Sequence, residues 1–373
     1  MAKEILTAES VTCGHPDKLA DLIADSILDA CLEQDSDSRV ACEVLLTKGQ
    51  AVIAGEITTR AVVDYLDIAR TVIEDVGYNT KGIEFAVHLH TQSPDIAQSV
   101  FGVSEQGAGD QGIVYGYASD ETLNFMPLPV ELAHRLTERL EFCRVEGIID
   151  GLLPDGKSQV SVEYENGHFS RISSVVISCQ HQKDKNVALL KKEVKEQVVN
   201  FVFRDIPLDN STELLINPSG LFVLGGFEAD TGVTGRKIMV DTYGGLSHHG
   251  GGAFSGKDAS KVDRSGAYMA RYIAKNVVAA GIAEKCEVAI GYAIGRAEPT
   301  SLNLTTFGTG KFSDDKIRLA VLQIFDLKPR SIIEVLDLKQ PVYAQTATGG
   351  HFGKEYLMWE QLNRIDELLK CLE

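Results

Sequence analysis

The chain's 373 residues are enough for two or three domains, at roughly 150 residues apiece, each with a core of its own. Hydrophobic residues make up 44% and charged residues 24%, with 34 Gly and 10 Pro, which excludes the disordered and collagen-like classes. Against 36 Lys plus Arg stand 53 Asp plus Glu, a formal charge of −17, so duplex nucleic acid and anionic membrane are poor partners and any anionic ligand must meet a local cluster of cations.

The cysteines, Cys13, Cys31, Cys42, Cys143, Cys179, Cys286 and Cys371, are scattered, with no CxxC pair and no zinc spacing, and read as reduced thiols. No apolar run approaches the roughly 20 residues of a membrane span. Met1-Ala2-Lys3-Glu4-Ile5 opens no signal-peptide apolar region, so a cytoplasmic location is expected.

Along the chain, Leu19, Ile23, Ile27 and Ala30 recur at three- and four-residue spacing behind Pro16, which predicts an amphipathic helix from Pro16 to Gln34. Val40 to Thr47 and Ala51 to Ile57 flank Lys48-Gly49 as a β-hairpin. A helix from Val62 to Val76 and a strand from Glu84 to His90 follow. The middle of the chain repeats the scheme: a helix from Val130 to Val145, strands Gln159 to Glu165 and Phe169 to Ser178 around Asn166-Gly167, a helix from Val187 to Phe203, and a strand from Leu214 to Ile216. Ile238 to Val240 reads as a short strand. The last third gives a helix from Val262 to Ala279, strands Glu287 to Ile294 and Ser301 to Phe307, and a helix from Asp314 to Phe325. This recurrence suggests three related α+β units.

Glycine-rich turns carry the chemistry. In His249-Gly250-Gly251-Gly252-Ala253-Phe254-Ser255-Gly256-Lys257-Asp258 the side chains are stripped away so that backbone N–H groups can approach oxyanions. Gly251 to Lys257 fits a GxxxxGK phosphate loop, but Asp258 stands where Ser or Thr would hold magnesium. Arg236, Lys237, Lys257, Lys261 and Arg264 form a cation set suited to a polyphosphate. Were 257–261 helical, the two lysines would share a face, with Asp263 near for a metal. At Gly14-His15-Pro16-Asp17-Lys18 an imidazole, a carboxylate and an ammonium sit at a helix N-terminus, where anions are favoured. Gln106 to Gly112, three glycines around one acid, suits a mobile loop over a site.

Together these segments resemble the S-adenosylmethionine synthetase (methionine adenosyltransferase) family. The likeness runs from Thr7-Ala8-Glu9-Ser10 and the GHPDK stretch through Ala41-Cys42-Glu43, Gly55 to Thr59, Gln92 to Ile96 and Gln106 to Gly112, to Thr234 to Lys237, Val240 to Gly245, Gly250 to Arg264 and Ala297 to Thr300. It implies three similar α+β domains around a pseudo-threefold axis, expected at 1–100, 101–226 and 227–373. The implied reaction is attack of the methionine sulfur on C5′ of ATP, with the departing triphosphate then cleaved to phosphate and diphosphate. Carried over position by position, His15 contacts the phosphates at the breaking bond, and Asp17 and Asp263 hold two Mg2+ ions. Lys157, Arg236, Lys237 and Lys257 neutralise the triphosphate. Asp155, Phe222, Asp230 and Ala253 complete the ATP site, with Phe222 stacked on adenine. Glu43 holds K+. Glu56 and Asp230 accept the methionine ammonium, Lys261 pairs its carboxylate, and Gln92 sits at the base of a gating loop reaching about Gln106. A homodimer with shared sites, paired into a tetramer, is also implied. Cys13 and Leu221 depart from the family's usual Glu and Arg. The rival classes are a P-loop-like NTPase and a non-catalytic regulatory relative.

Overall fold

A computed structural model describes residues 3–91 and 107–373. Strand β1 (Lys3–Val11) leads into α1 (Pro16–Gln34), the hairpin β2 (Arg39–Thr47) and β3 (Gln50–Thr58), α2 (Tyr65–Val76) and β4 (Glu84–His90). Next come β5 (Gly112–Ser119), α3 (Leu128–Val145), the hairpin β6 (Leu152–Glu165) and β7 (His168–His181), α4 (Val187–Val194) and β8 (Glu213–Ile216). The remainder carries β9 (Gly232–Val233), α5 (Ile238–Asp241), α6 (Val262–Ala279), β10 (Lys285–Tyr292), β11 (Ser301–Thr305) and α7 (Asp314–Ile324). After Val194 the α4 helix continues through a π turn, Lys195–Val199, into Asn200–Val202.

These strands make three sheets, β1-β6-β7-β8, β4-β3-β2-β9 and β11-β10-β5. The first packs against α3, the second against α1 and the third against α6, so the fold is α+β with three sheet-and-helix units. The sheets do not follow chain order. β1 pairs antiparallel with β6 from Lys3↔Glu165 to Val11↔Lys157, β5 pairs with β10, and β9 pairs with β2. Each unit therefore borrows a strand from a distant part of the chain, and the three interlock.

Ile238–Asp241 is a helical turn, closed by the Asp241 N–H donating to the Lys237 carbonyl at 2.9 Å, where the sequence predicted a strand. The apolar triplet buries only Val240, and no partner strand lies beside it among the described residues. Asp64 caps α2, donors Leu66 N–H and Asp67 N–H reaching its Oδ1 at 3.2 and 3.0 Å, so this helix starts later than Val62.

One pattern in α1 decides how the rest is held. Asp17, Asp21, Asp25 and Asp29 recur every four residues and so lie along one side of the helix. Asp17 accepts the Val233 N–H at 2.9 Å, Asp21 the Gly235 N–H at 2.8 Å, and Asp25 the Gly256 N–H at 2.8 Å. Asp29 accepts from Tyr343 and Ala344 at 2.9 and 2.8 Å. The opposite side, with Leu19, Ile23 and Ile27, is fully buried in the main core. α1 thus serves as a rail for loops more than two hundred residues away.

Candidate active site

His15 is the N-cap residue of α1, and its Nδ1 accepts the Asp17 N–H at 3.2 Å. With Nδ1 an acceptor, the proton of a neutral ring sits on Nε2. Burial, followed by the positive charges of Lys237 and Lys157, brings His15 down to about 3, so the ring is neutral at pH 7 and offers one N–H donor. Asp17 is partly buried, which opposes its ionisation, yet the Lys237 ammonium and the Val233 N–H hold it below the ordinary carboxylate range. Lys237 Nζ lies 2.5 Å from Asp17 Oδ2.

Lys157 sits on β6, opposite Val11 at the end of β1. Beside it, burial raises Asp155, although its Oδ2 accepts the Gly226 N–H at 2.8 Å; the Asp230 charge acts in the same direction. Phe222 is tied at both ends of its peptide: its N–H donates to His181 Nε2 at 3.1 Å and its carbonyl accepts the His181 N–H at 2.9 Å. Leu221 and Leu224 flank it with 68% and 64% of their surface exposed. Arg236 and Asp230 are exposed.

A second set gathers on the outer side of the β2–β3 hairpin. Ala41 pairs with Glu56 and Glu43 with Ala54, so the period of two sends both glutamates to one side. Lys257 bridges to Ala41. Burial raises Glu43, with Lys257 opposing and Glu56 adding to the shift. Lys257 Nζ is 2.8 Å from Asp263 Oδ2, and Lys261 pairs with Asp258. Gly256 makes this turn possible: its φ is +79°, and a Cβ there would lie 1.9 Å from the Cys42 carbonyl oxygen. Ala253 touches the other set's backbone, since a Cβ on Gly235 would fall 2.6 Å from the Ala253 methyl.

Thus His15, Asp17, Lys157 and Lys237 form one set with Asp155 and Asp230 at its side, and Glu43, Glu56, Lys257 and Asp263 form another. No hydrogen bond or ion pair among the described residues joins their side chains. Gln92 and the gating-loop stretch from 92 to 106 lie outside the described residues.

Three expectations are corrected. Arg264 does not belong to the phosphate cations: its fully buried guanidinium holds Asp25 at 2.7 and 2.9 Å and the Lys257 carbonyl at 3.0 Å. Lys257 and Lys261 share no helix face, because α6 begins at Val262 with Lys261 as its N-cap residue. At Gly107 and Ala108 the GAGDQG stretch is scaffold rather than mobile loop, while Asp110 and Gln111 beyond them are exposed. Ala108 is buried and exchanges hydrogen bonds with Arg296 and Gly295 at 2.9 and 2.8 Å, and a Cβ on Gly107 would strike the Gly295 backbone at 2.6 Å. The GxxxxGK stretch also lacks the architecture of a phosphate loop, since Lys257 lies on a β-bridge five residues before the helix instead of opening it.

Asp17 and Asp263 are hard oxygen donors of the kind Mg2+ takes, and no group of three or more metal-binding side chains occurs among the described residues. Mg2+ can be held by one or two carboxylates, with waters and substrate phosphates supplying the rest; Asp17 and Asp263 each offer one. In the protein alone a lysine neutralises each carboxylate.

Models of the S-adenosylmethionine synthetase N-terminal, central and C-terminal domains match residues 3–99, 105–222 and 224–361. The chain belongs to the S-adenosylmethionine synthetase family. It is 49% identical over its whole length to an S-adenosylmethionine synthase of Staphylococcus epidermidis, covering 98% of that protein. It is 48% identical to one of Clostridium botulinum, with 99% and 100% of the two chains covered, and 49% identical to one of Desulforudis audaxviator, with 99% and 98% covered. The chain is a methionine adenosyltransferase, making S-adenosylmethionine from ATP and methionine. No helix among the described residues is long and apolar enough to cross a membrane.

The sequence singled out the GHPDK and GGGAFSGKD segments, but not Asp21, Asp25 and Asp241, which hold the turns around them. The signal was present in the four-residue spacing of aspartates through an otherwise apolar helix, where charge on a buried side needs a partner.

Proposed function

We propose that the two side-chain sets are the two halves of one active site, brought together when two copies of the chain pair. The observation that carries this reading is that, among the described residues, no hydrogen bond or ion pair joins the side chains of His15 and Lys257, although both have the chemistry of phosphate ligands. A homodimer completes two such sites, and pairing of dimers gives the tetramer. A cytoplasmic location accords with the free cysteines.

In this reading the neutral His15 ring donates a hydrogen bond from its Nε2–H to the oxygen leaving C5′, keeping its proton while the charge builds on that oxygen. The methionine thioether has no proton to lose, so no general base is required. What the reaction needs is charge held in place for a departing triphosphate. Lys157, Arg236 and Lys237 from one subunit and Lys257 from the other neutralise it. Phe222 stacks on adenine, while Asp155, Asp230 and Ala253 line the nucleotide. Glu56 and Asp230 accept the methionine ammonium, Lys261 takes its carboxylate, and Gln92 gates entry. Asp17 and Asp263 would hold two Mg2+ ions and Glu43 a K+ ion; bound there, the divalent ions supply charge neutralisation of the phosphates.

The test is to incubate the protein with ATP, Mg2+ and K+, with and without L-methionine, and to measure S-adenosylmethionine, phosphate and diphosphate. Equal, methionine-dependent amounts of all three support the mechanism. ADP and phosphate formed regardless of methionine would overturn it.

A further inference from the structure

Arg236 and Lys237 lie on a segment that bears two of the expected triphosphate cations, and α1 grips that segment at both ends. At the near end Asp21 Oδ1 accepts the Gly235 N–H at 2.8 Å, one residue before Arg236. At the far end Lys18 donates to Asp241, four residues beyond Lys237. The same Lys18 ammonium ion-pairs with Asp21 Oδ2 at 3.0 Å, so one fully buried charge ties the two grips together. Between them, Asp17 holds Lys237 itself.

The geometry leaves little slack. Gly235 has a φ of +74°, a Cβ on it would press on Ala253, and a Cβ on Gly232 would lie 2.2 Å from the Pro16 carbonyl. Asp241 is fixed from the other side by His351, whose N–H donates to the Asp241 carbonyl at 3.0 Å. A buried carboxylate and ammonium cost several kcal/mol to desolvate, which an apolar packing of the same shape would avoid. Their arrangement around the span from Gly235 to Asp241, which carries two reactive-site cations, supplies something packing does not, a fixed separation between Arg236 and Lys237 and the start of α1.

We infer that Lys18, Asp21 and Asp241 are positioning residues that set Arg236 and Lys237 against the triphosphate, acting through the Gly235 N–H and the Asp241 carboxylate. All three are buried within the protein. The inference rests on the assignment of Arg236 and Lys237 to the triphosphate.

The test compares Asp21→Ala, which removes the acceptor for Gly235, with Asp21→Asn, which keeps one. Each is assayed for S-adenosylmethionine synthesis, for hydrolysis of added tripolyphosphate, and for KM of methionine, with a thermal melt to confirm folding. The Ala variant is expected to lose about tenfold or more in kcat for both reactions, with methionine KM changed less than about twofold. The Asn variant is expected to recover to within about threefold of the parent. Retention of full activity by a folded Ala variant, equal losses in both variants, or a parallel rise in methionine KM would overturn the inference. Should Asp21→Ala fail to fold, the triple variant Lys18→Met/Asp21→Asn/Asp241→Asn removes the buried ammonium together with both carboxylates it pairs with, so that no charge is stranded. It is expected to give the same split, and unchanged kcat there would equally overturn the idea. A Lys237→Ala variant separates the two layers: if it cleaves tripolyphosphate like the parent, the assignment of the cations fails, whatever the grip does.

Discussion

Lys257 Nζ sits 2.8 Å from Asp263 Oδ2, and this pair stands where the second subunit's phosphate ligands are proposed to be. Both side chains keep about a fifth of their surface exposed, 22% each, so the pair alone contributes little stability. Its meaning is electrostatic readiness: in the proposed site Asp263 would hold the divalent ion and Lys257 would face the phosphates, each already neutralised by the other in the protein alone. Asp263→Asn is therefore expected to lower kcat by about a hundredfold or more and to raise the Mg2+ concentration needed for half-maximal rate, while leaving the melting temperature nearly unchanged. Mg2+ titrations of rate, beside a melt, check both halves. An unaltered Mg2+ requirement would remove Asp263 from the metal.

Arg264 and Asp25 make the opposite case. Both side chains are wholly buried, and the guanidinium meets the carboxylate through two donors at 2.7 and 2.9 Å. Breaking such a pair strands a charge in the core, at about 3–5 kcal/mol. Asp25→Ala should thus lower the melting temperature far more than Asp263→Asn does, and it should also loosen the Gly256–Lys257 turn that Asp25 holds. Thermal melts of the two variants side by side test the contrast; equal melting temperatures would sink it.

Much of the local structure was legible because local rules governed it. Pro16 and the spacing of Leu19, Ile23 and Ile27 fixed the bounds of α1. Lys48-Gly49 marked the first hairpin, with Gly49 at φ +74°. The exchange of β1, β5 and β9 into distant sheets was not legible, since an edge strand's partner is chosen by long-range packing that a period of two does not encode. Arg264 was misread for a related reason. A basic residue beside a glycine-rich loop carries the same charge whether it faces phosphate or an aspartate 239 residues away, and only the fold decides. Ile238 to Val240 looked like a strand by composition, but its surroundings supplied one helical turn and a buried Asp241 instead.

If the two side-chain sets meet only across two copies, inactive variants should rescue each other. A His15→Ala chain paired with a Lys257→Ala chain makes one site that carries both defects and one that carries neither. Mixed and reassembled in equal amounts, half the dimers are heterodimers with one intact site in two, so about a quarter of the parent activity returns. Each variant reassembled alone should stay near background. Absence of rescue, with heterodimers demonstrated by mass, would place the complete site within a single chain.

Acid sensitivity follows from a histidine the chemistry does not use. His134 is buried, its Nδ1 2.8 Å from Ser10 Oγ, and burial, aided by the nearby charges of Lys354 and Lys18, brings it down to about 3. In the unfolded chain a histidine titrates near about 6.5. Between those values the unfolded state takes up a proton that the native state refuses, so stability is complete above about 6.5 and is lost as the pH falls toward 3, by up to roughly 1.4 kcal/mol per pH unit. His351, held well below its ordinary range by burial and by Arg264, adds a slope of the same sign. His15, also brought down to about 3, contributes likewise, so His134→Gln should cut the fall in melting temperature between about pH 6.5 and 4 by roughly a third or less, even though it lowers stability at pH 8. Melts across that range decide it: an unchanged slope would mean that His134 is not among the groups through which acid unfolds the protein.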